Sequence, residues 1–246
     1  ADFQYFFSFF WHNTAPKIRS WMPDLPPFSV QEFPALHSPL LALNDVSCER
    51  GNRRLFCQLS VQLMAGQALQ INGGNGAGKT SLLRIAAGLL APAAGAVCYL
   101  GEPLADNSYS HRSQLLFLGH QAAVKGSLTA LENLRSPVDG RHRFSTEAIF
   151  QALAAVGLAG FEDLPCRTFS AGQRRRVALA LLILSDARLW LLDEPFTAID
   201  RTGVELIERL MAAHLQRGGA IMLTSHQPVA LPGLLALELS GGDSHG

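Results

Sequence analysis

The sequence predicts an α/β protein whose mostly parallel sheet is covered by helices on both faces. Three observations predict it. Short apolar strands alternate with helix-patterned segments along most of the chain. Two of those strands, Arg188–Leu192 and Ala220–Thr224, are almost wholly apolar, as strands buried on both faces are. A third, Gln67–Asn72, runs directly into a glycine cluster that opens a helix.

Taken in order, Leu41–Cys48 and Leu55–Met64 alternate as strands around the turn Gly51-Asn52. Gln67–Asn72 follows, then a helix over Lys79–Leu90 and extended segments at Ala96–Leu100 and Gln114–Leu118. Helices come next at Thr129–Arg135, where Thr129 and Glu132 form a capping pair, and at Thr146–Val156, capped by Ser145. Gly172–Leu184 and Gly203–Gln216 are helical, and the two apolar strands named above interleave with them. The first forty residues are different. They hold the aromatic run Phe3–Trp11 and the prolines Pro16, Pro23, Pro26, Pro27, Pro34 and Pro39, which forbid regular structure. They lack the basic start and cleavage site of a signal peptide and read as an irregular accessory leader.

Composition bounds the function. The 246 residues fit one domain with an appended segment, at about 150 residues per domain. Twenty basic and twenty acidic residues cancel, which argues against coating nucleic acid by charge alone. The uncharged run Leu179–Leu184 is closed by Arg174–Arg176 on one side and by Asp186 and Arg188 on the other, whereas a spanning helix needs roughly 20 apolar residues. Cys48, Cys57, Cys98 and Cys166 are spaced for neither a metal cluster nor a dense disulfide framework, so free thiols in a reducing compartment are expected.

Three motifs carry the chemistry. Gly73-Gly74-Asn75-Gly76-Ala77-Gly78-Lys79-Thr80 fits the pattern G-x-x-x-x-G-K-S/T between a strand and a helix, with Ser81 next. Its backbone N–H groups would close around phosphate oxygens, Lys79 would reach the β and γ phosphates, and the Thr80 hydroxyl would ligate Mg²⁺. A nucleoside triphosphate is the expected ligand. Leu189–Asp193 then delivers Asp193, placed to hold Mg²⁺, and Glu194, placed to polarise an attacking water. Ser170-Ala171-Gly172-Gln173 opens a helix with a hydroxyl and free N–H groups, a second phosphate-facing cradle that would serve a nucleotide on another copy. The following Arg174, Arg175 and Arg176 read as a solvated helix face or as partners of nearby carboxylates.

With these motifs the sequence resembles the ATP-binding-cassette ATPases over residues 41 to about 230. Six elements stand in that family's order: Gly73–Thr80, Gln121 after Leu115–Leu118, Ser170–Gln173, Leu189–Glu194, Ala198-Ile199-Asp200, and His226 after Ile221–Thr224. The resemblance implies a P-loop domain of that type over 41–240, with a mostly parallel core sheet, a small antiparallel β subdomain and a short helical subdomain at about 122–170. It implies ATP and Mg²⁺ as ligands, Gln121 contacting the metal and reporting occupancy, His226 holding the γ-phosphate, and Asp200 crossing a homodimer. Phe117–Gln121, Thr129–Leu134, Ser170–Gln173 and Asp193–Asp200 look like the haem-handling branch that serves cytochrome c maturation. That branch implies CcmB- and CcmC-like integral membrane partners, a peripheral position at the cytoplasmic face of the bacterial inner membrane, and no nucleic acid. The alternatives are the ATPase of another transporter, a soluble non-transport cassette, or an inactive scaffold; the intact Lys79, Asp193, Glu194 and His226 argue against the last. Three positions depart from the family pattern: Gly74 replaces a proline, Ala171 replaces a glycine, and Arg50 stands where an aromatic usually stacks on adenine. A guanidinium can stack on a base by cation–π contact.

Overall fold

The computed structural model describes residue 33 and residues 38–51, 53–104, 108–135 and 144–240. The leader expected over residues 1–40 therefore lies outside the described residues, apart from Phe33 and Ser38–Leu40.

Two sheets and three apolar cores organise these residues. β1 (Leu41–Arg50), β2 (Arg53–Leu63), β4 (Ala94–Tyr99) and β5 (Glu102–Pro103) form an antiparallel sheet in the order β2-β1-β4-β5. β3 (Ala68–Asn72), β6 (Leu115–Leu118), β7 (Leu189–Asp193), β8 (Ala220–Thr224) and β9 (Leu235–Glu238) form the second, in the order β6-β7-β8-β3-β9. All its pairings are parallel, a stronger outcome than the mostly parallel sheet expected. Parallel strands point every C-terminal end toward one edge, the edge at which α/β ligands bind.

The period of two along β7 and β8 explains why both strands read as apolar throughout. Leu189, Leu191, Ala220 and Met222 face a core shared with α1 (Lys79–Ala86) and the antiparallel sheet. Trp190, Leu192, Ile221 and Leu223 face a second core against α5 (Ala171–Leu184) and α6 (Arg201–Gln216). A third core joins α3 (Ala130–Arg135), α4 (Thr146–Ala155) and α5 through Leu134, Ile149, Leu153 and Val177. Ser145 caps α4 by accepting from Ala148 N at 3.1 Å, and the Thr129–Glu132 pair caps α3 reciprocally at 2.8 and 3.1 Å.

Several boundaries differ from the sequence pattern. The helix expected to reach Leu90 stops at Ala86, because Gly88 turns left-handed at φ 68°. Gly88 N then donates to Ile85 O and Leu89 N to Arg84 O, the paired bonds of a glycine-terminated helix. β5, α2 (Ser108–Ser113) and β9 were not anticipated. β5 has two residues, and β9 is mostly exposed, so neither carries a burial pattern to read.

Phe33 touches the end of the sheet opposite the glycine loop. Its N–H donates to Arg217 O at 3.0 Å, and its ring lies 5.2 and 5.5 Å from the Arg188 and Arg217 guanidinium carbons. Beneath it His214 stacks on Trp190 at 3.9 Å and 10°. Burial, reinforced by the Arg217 charge, drives the His214 pKa from 6.5 down to about 3. Among the described residues no helix is long and apolar enough to cross a membrane.

Candidate active site

The glycine loop leaves β3 and enters α1 in a conformation that depends on three of its glycines. Gly73, Gly76 and Gly78 hold φ of 137°, 78° and 103°, the region glycine enters at little steric cost. Gly73 is also hemmed in: a Cβ there would stand 2.7 Å from Leu239 O. Ala77 turns inward and is buried. Gly74 has no positive φ, and a Cβ on it would meet nothing within 4 Å, so that position makes no demand for glycine. Leu82 N→Gly78 O, at 2.8 Å, is the bond that closes the first turn of α1. The N–H groups before it are those a helix start leaves without an intrahelical acceptor. Lys79 Nζ donates to Gly73 O at 2.6 Å and Gly74 O at 3.3 Å, which stations the ammonium across the loop.

β7 brings the carboxylates to that loop. Asp193 is buried and both its oxygens are engaged: Thr80 Oγ1 donates to Oδ2 at 2.9 Å and Thr224 Oγ1 to Oδ1 at 2.8 Å. Thr224 also accepts from Glu194 N at 2.9 Å, so one hydroxyl ties the end of β8 to the end of β7. Glu194 itself takes φ 51°, unusual for a residue with a side chain. That turn aims its carboxylate at His226, whose Nε2 lies 3.4 Å from Oε1 and whose N–H donates to Oε2 at 3.3 Å. A cavity of about 370 Å³ is lined by Gly74, Asn75, Gly76, Gly78, Lys79, Thr80, Ser81, Asp193, Glu194 and His226, joined by Arg50, Leu55 and His120.

Gln121, the Ser170–Gln173 segment and Asp200 sit outside this cavity. Gln121 lies three residues beyond the end of β6, since that strand stops at Leu118. It is exposed and lines a larger neighbouring cavity of about 780 Å³, which Thr80 and Asp193 also reach. Ser170 caps α5 through a reciprocal box with Gln173, at 2.9 and 3.1 Å, and Ser170–Gln173 line neither cavity. Gly172 has a reason within this chain: an added Cβ would stand 3.0 Å from Ala198 O. Asp200 caps α6 by accepting from Gly203 N at 3.1 Å and pairs with Arg176 at 2.7 Å.

The arginines after the signature divide. Arg176 meets a carboxylate, as one of the two readings had it. Arg175 does not: it is 4% exposed and donates to four backbone carbonyls, a correction to both the solvated-face and the carboxylate-partner readings. Its place was detectable from the helical period, because Arg175 shares a face with the buried Ala178, Leu179 and Leu182. Thr224 and His120 were also missed. A polar residue closing an apolar strand two positions before His226 was a usable signal for Thr224, whereas His120 stood only inside the Phe117–Gln121 stretch, with no role of its own.

A triphosphate-sized cavity at the C-terminal edge of a parallel sheet, with a lysine across a glycine loop and two successive carboxylates beyond it, defines a nucleotide-hydrolysing P-loop protein. Thr80 Oγ1 and Asp193 Oδ2 are hard oxygen donors 2.9 Å apart, the type that shares a magnesium ion with phosphate oxygens. Comparison with known proteins gives the family. Residues 56–197 match the family described as ABC transporter. The cytochrome c biogenesis ATP-binding export protein CcmA of Pseudomonas putida KT2440 is 54% identical over 181 residues, covering 74% of this chain and 86% of the relative. The protein of that name from Escherichia coli K12 is 51% identical over 191 residues, with 77% and 90% covered. An ATP-binding cassette solved as a dimer in a post-hydrolysis state, bound to ADP and Pi, superimposes with a TM-score of 0.71 over 81% of this chain and 96% of its own, at 23% identity. The chain belongs to the ABC transporter family and, within it, to the CcmA group of cytochrome c biogenesis ATP-binding export proteins. It is an ATP-hydrolysing transporter subunit with the P-loop ABC fold.

Proposed function

We propose that the chain hydrolyses ATP with Glu194 as the general base and couples that reaction to haem export during cytochrome c maturation. Gly73–Ser81 cradle the phosphates, and Lys79 offsets charge on the β and γ groups. Water attacks the γ-phosphorus, Glu194 takes its proton, and the bond to the β-phosphate oxygen breaks so that ADP departs with the electron pair. His226 holds the γ-phosphate beside Glu194. Mg²⁺ held by Thr80 and Asp193, with Gln121 reaching from the adjoining cavity, would supply charge neutralisation at the phosphates.

The observation that carries this reading is the Thr80–Asp193–Thr224 chain of hydrogen bonds, which fixes Glu194 one residue beyond and directs its carboxylate at His226. We also propose a homodimer in which Ser170, Ala171, Gly172, Gln173 and Asp200 meet the partner's nucleotide. The exposed position of Ser170 and Ala171, away from the cavity of their own chain, supports it. The integral partners in this reading are CcmB- and CcmC-like subunits, with the chain peripheral at the cytoplasmic face of the inner membrane.

Glu194→Gln keeps the shape of the side chain and removes the base. It should bind ATP as the parent does while turnover falls at least tenfold, within the roughly 10²–10⁴ that a general base contributes. Parent-level turnover in purified Glu194→Gln protein would remove Glu194 from the reaction.

A further inference from the structure

Arg175 is the fifth residue of α5, five residues after Ser170, and reaches back to two separate segments of the site. One terminal nitrogen donates to Gly119 O at 2.8 Å, with a longer contact of 3.5 Å to His120 O. The other donates to Asp193 O at 3.1 Å and Glu194 O at 2.8 Å. Gly119 and His120 immediately precede Gln121, and His120 lines the nucleotide cavity. Asp193 closes β7 and Glu194 follows it. A single guanidinium therefore fastens together the segment before Gln121, the carboxylate turn, and the helix that the signature opens.

The Glu194 end of this arrangement needs an outside hold. Its left-handed backbone is strained and persists only where neighbours over-determine it. Thr224 Oγ1 holds the residue by its N–H at 2.9 Å, and Arg175 holds it by its carbonyl at 2.8 Å. With both ends fixed, the direction of its Cα–Cβ bond is set, and the contacts with His226 hold the carboxylate at the far end. Burial lowers the Arg175 pKa, the Asp193 and Glu194 carboxylates oppose that shift, and the guanidinium stays charged. A planar fork with separated donors can span two segments; a lysine ammonium, a point charge, cannot hold both in one geometry.

We propose that Arg175 is a positioning residue for ATP hydrolysis: its fork holds the Glu194 turn in register with the segment that carries Gln121, and so aims the base. The proposal rests on Glu194 being that base. It acts on the chemical step and leaves the glycine loop untouched.

The test compares parent, Arg175→Lys, Arg175→Gln, Glu194→Gln and the double variant Arg175→Lys/Glu194→Gln as purified full-length chains. The measurements are melting temperature, affinity for a fluorescent ATP analogue, kcat and KM. Arg175→Lys should bind the analogue within threefold of the parent, keep KM within threefold and lose at least tenfold in kcat. Arg175→Gln, which can satisfy one segment only, should behave alike. The double variant should be no slower than Glu194→Gln alone, because an aiming residue has nothing left to aim. A kcat within twofold of the parent in folded Arg175→Lys and Arg175→Gln overturns the proposal. So does a fall in kcat matched by an equal loss of analogue affinity, or failure of both variants to fold, either of which makes Arg175 a brace for the whole domain. A further tenfold loss in the double variant, beyond that of Glu194→Gln, also overturns it. Parent-level turnover in Glu194→Gln would instead defeat the assignment of the base, whatever Arg175 does.

Discussion

Gly73→Ala adds one methyl group to the phosphate loop at its least roomy position. The new Cβ would stand 2.7 Å from Leu239 O and 3.3 Å from both the Ala77 and Leu239 Cβ atoms, and the backbone φ of 137° is one that side chains avoid. Leu239 cannot simply retreat, because its own N–H donates to Asn72 O at 3.0 Å, next to Gly73. Backbone strain of about 1–3 kcal/mol and overpacking of about 1–3 kcal/mol add to roughly 2–6 kcal/mol. In a domain of this size about 1 kcal/mol moves the melting temperature by roughly 2–4 °C, so a fall on the order of 10 °C is expected. Gly74→Ala is the matched control: its Cβ meets nothing and its φ is not positive, so stability should stay within about 1 kcal/mol of the parent. Thermal unfolding of the three proteins, followed by far-ultraviolet circular dichroism, decides it. If Gly73→Ala melts within 2 °C of Gly74→Ala, the contact between the loop and the chain after β9 has been misjudged.

Two further outcomes are expected. Lys79→Ala chains and Ser170→Arg chains should each fail to dimerise with ATP, yet their mixture should recover dimers detectable by light scattering, because one composite site escapes both changes; normal dimerisation and hydrolysis by Ser170→Arg alone would refute a shared site. His214 takes up a proton near pH 6.5 when unfolded but only near 3 when native, so its stabilisation is complete above about pH 6.5 and drains away as pH falls toward 3, by up to about 1.4 kcal/mol per unit; denaturant titrations from pH 7 to 4 should show a shallower loss in His214→Gln, and equal slopes would contradict this.

Much of this architecture could be read from the chain itself. Leu189–Leu192 and Ile221–Leu223 announced a sheet covered on both faces because each of their two faces meets its own core. The loop Gly73–Thr80 was legible because its spacing is dictated by phosphate geometry. β9 was not, since a strand lying mostly exposed at a sheet edge has no alternation to betray it. Arg175 was hidden for another reason. Charge predicts solvent, and only its register with Leu179 and Leu182 revealed that it points inward to carbonyls 18 and 56 residues away in sequence. Gly172 looked like a feature for a partner's phosphate, but its crowding by Ala198 O shows that the chain's own packing also requires a small residue there.

The place of β3 has a bearing on how the protein is made. The strand that feeds the phosphate loop lies between β8 and β9, whose residues follow it by roughly 150 positions. A ribosome adding about 5–20 residues per second takes roughly 8–30 s to cover that distance. Throughout that interval Leu69 and Ile71 have neither strand neighbour, whereas β1 and β2 precede β3, β4 follows it closely, and these three can pair among themselves. The antiparallel sheet can therefore form early during synthesis, and the nucleotide pocket only after Ala220–Thr224 arrives. A nascent chain halted before that point exposes an apolar strand and binds no ATP, which makes this stretch of translation the period of greatest exposure to aggregation and chaperone capture.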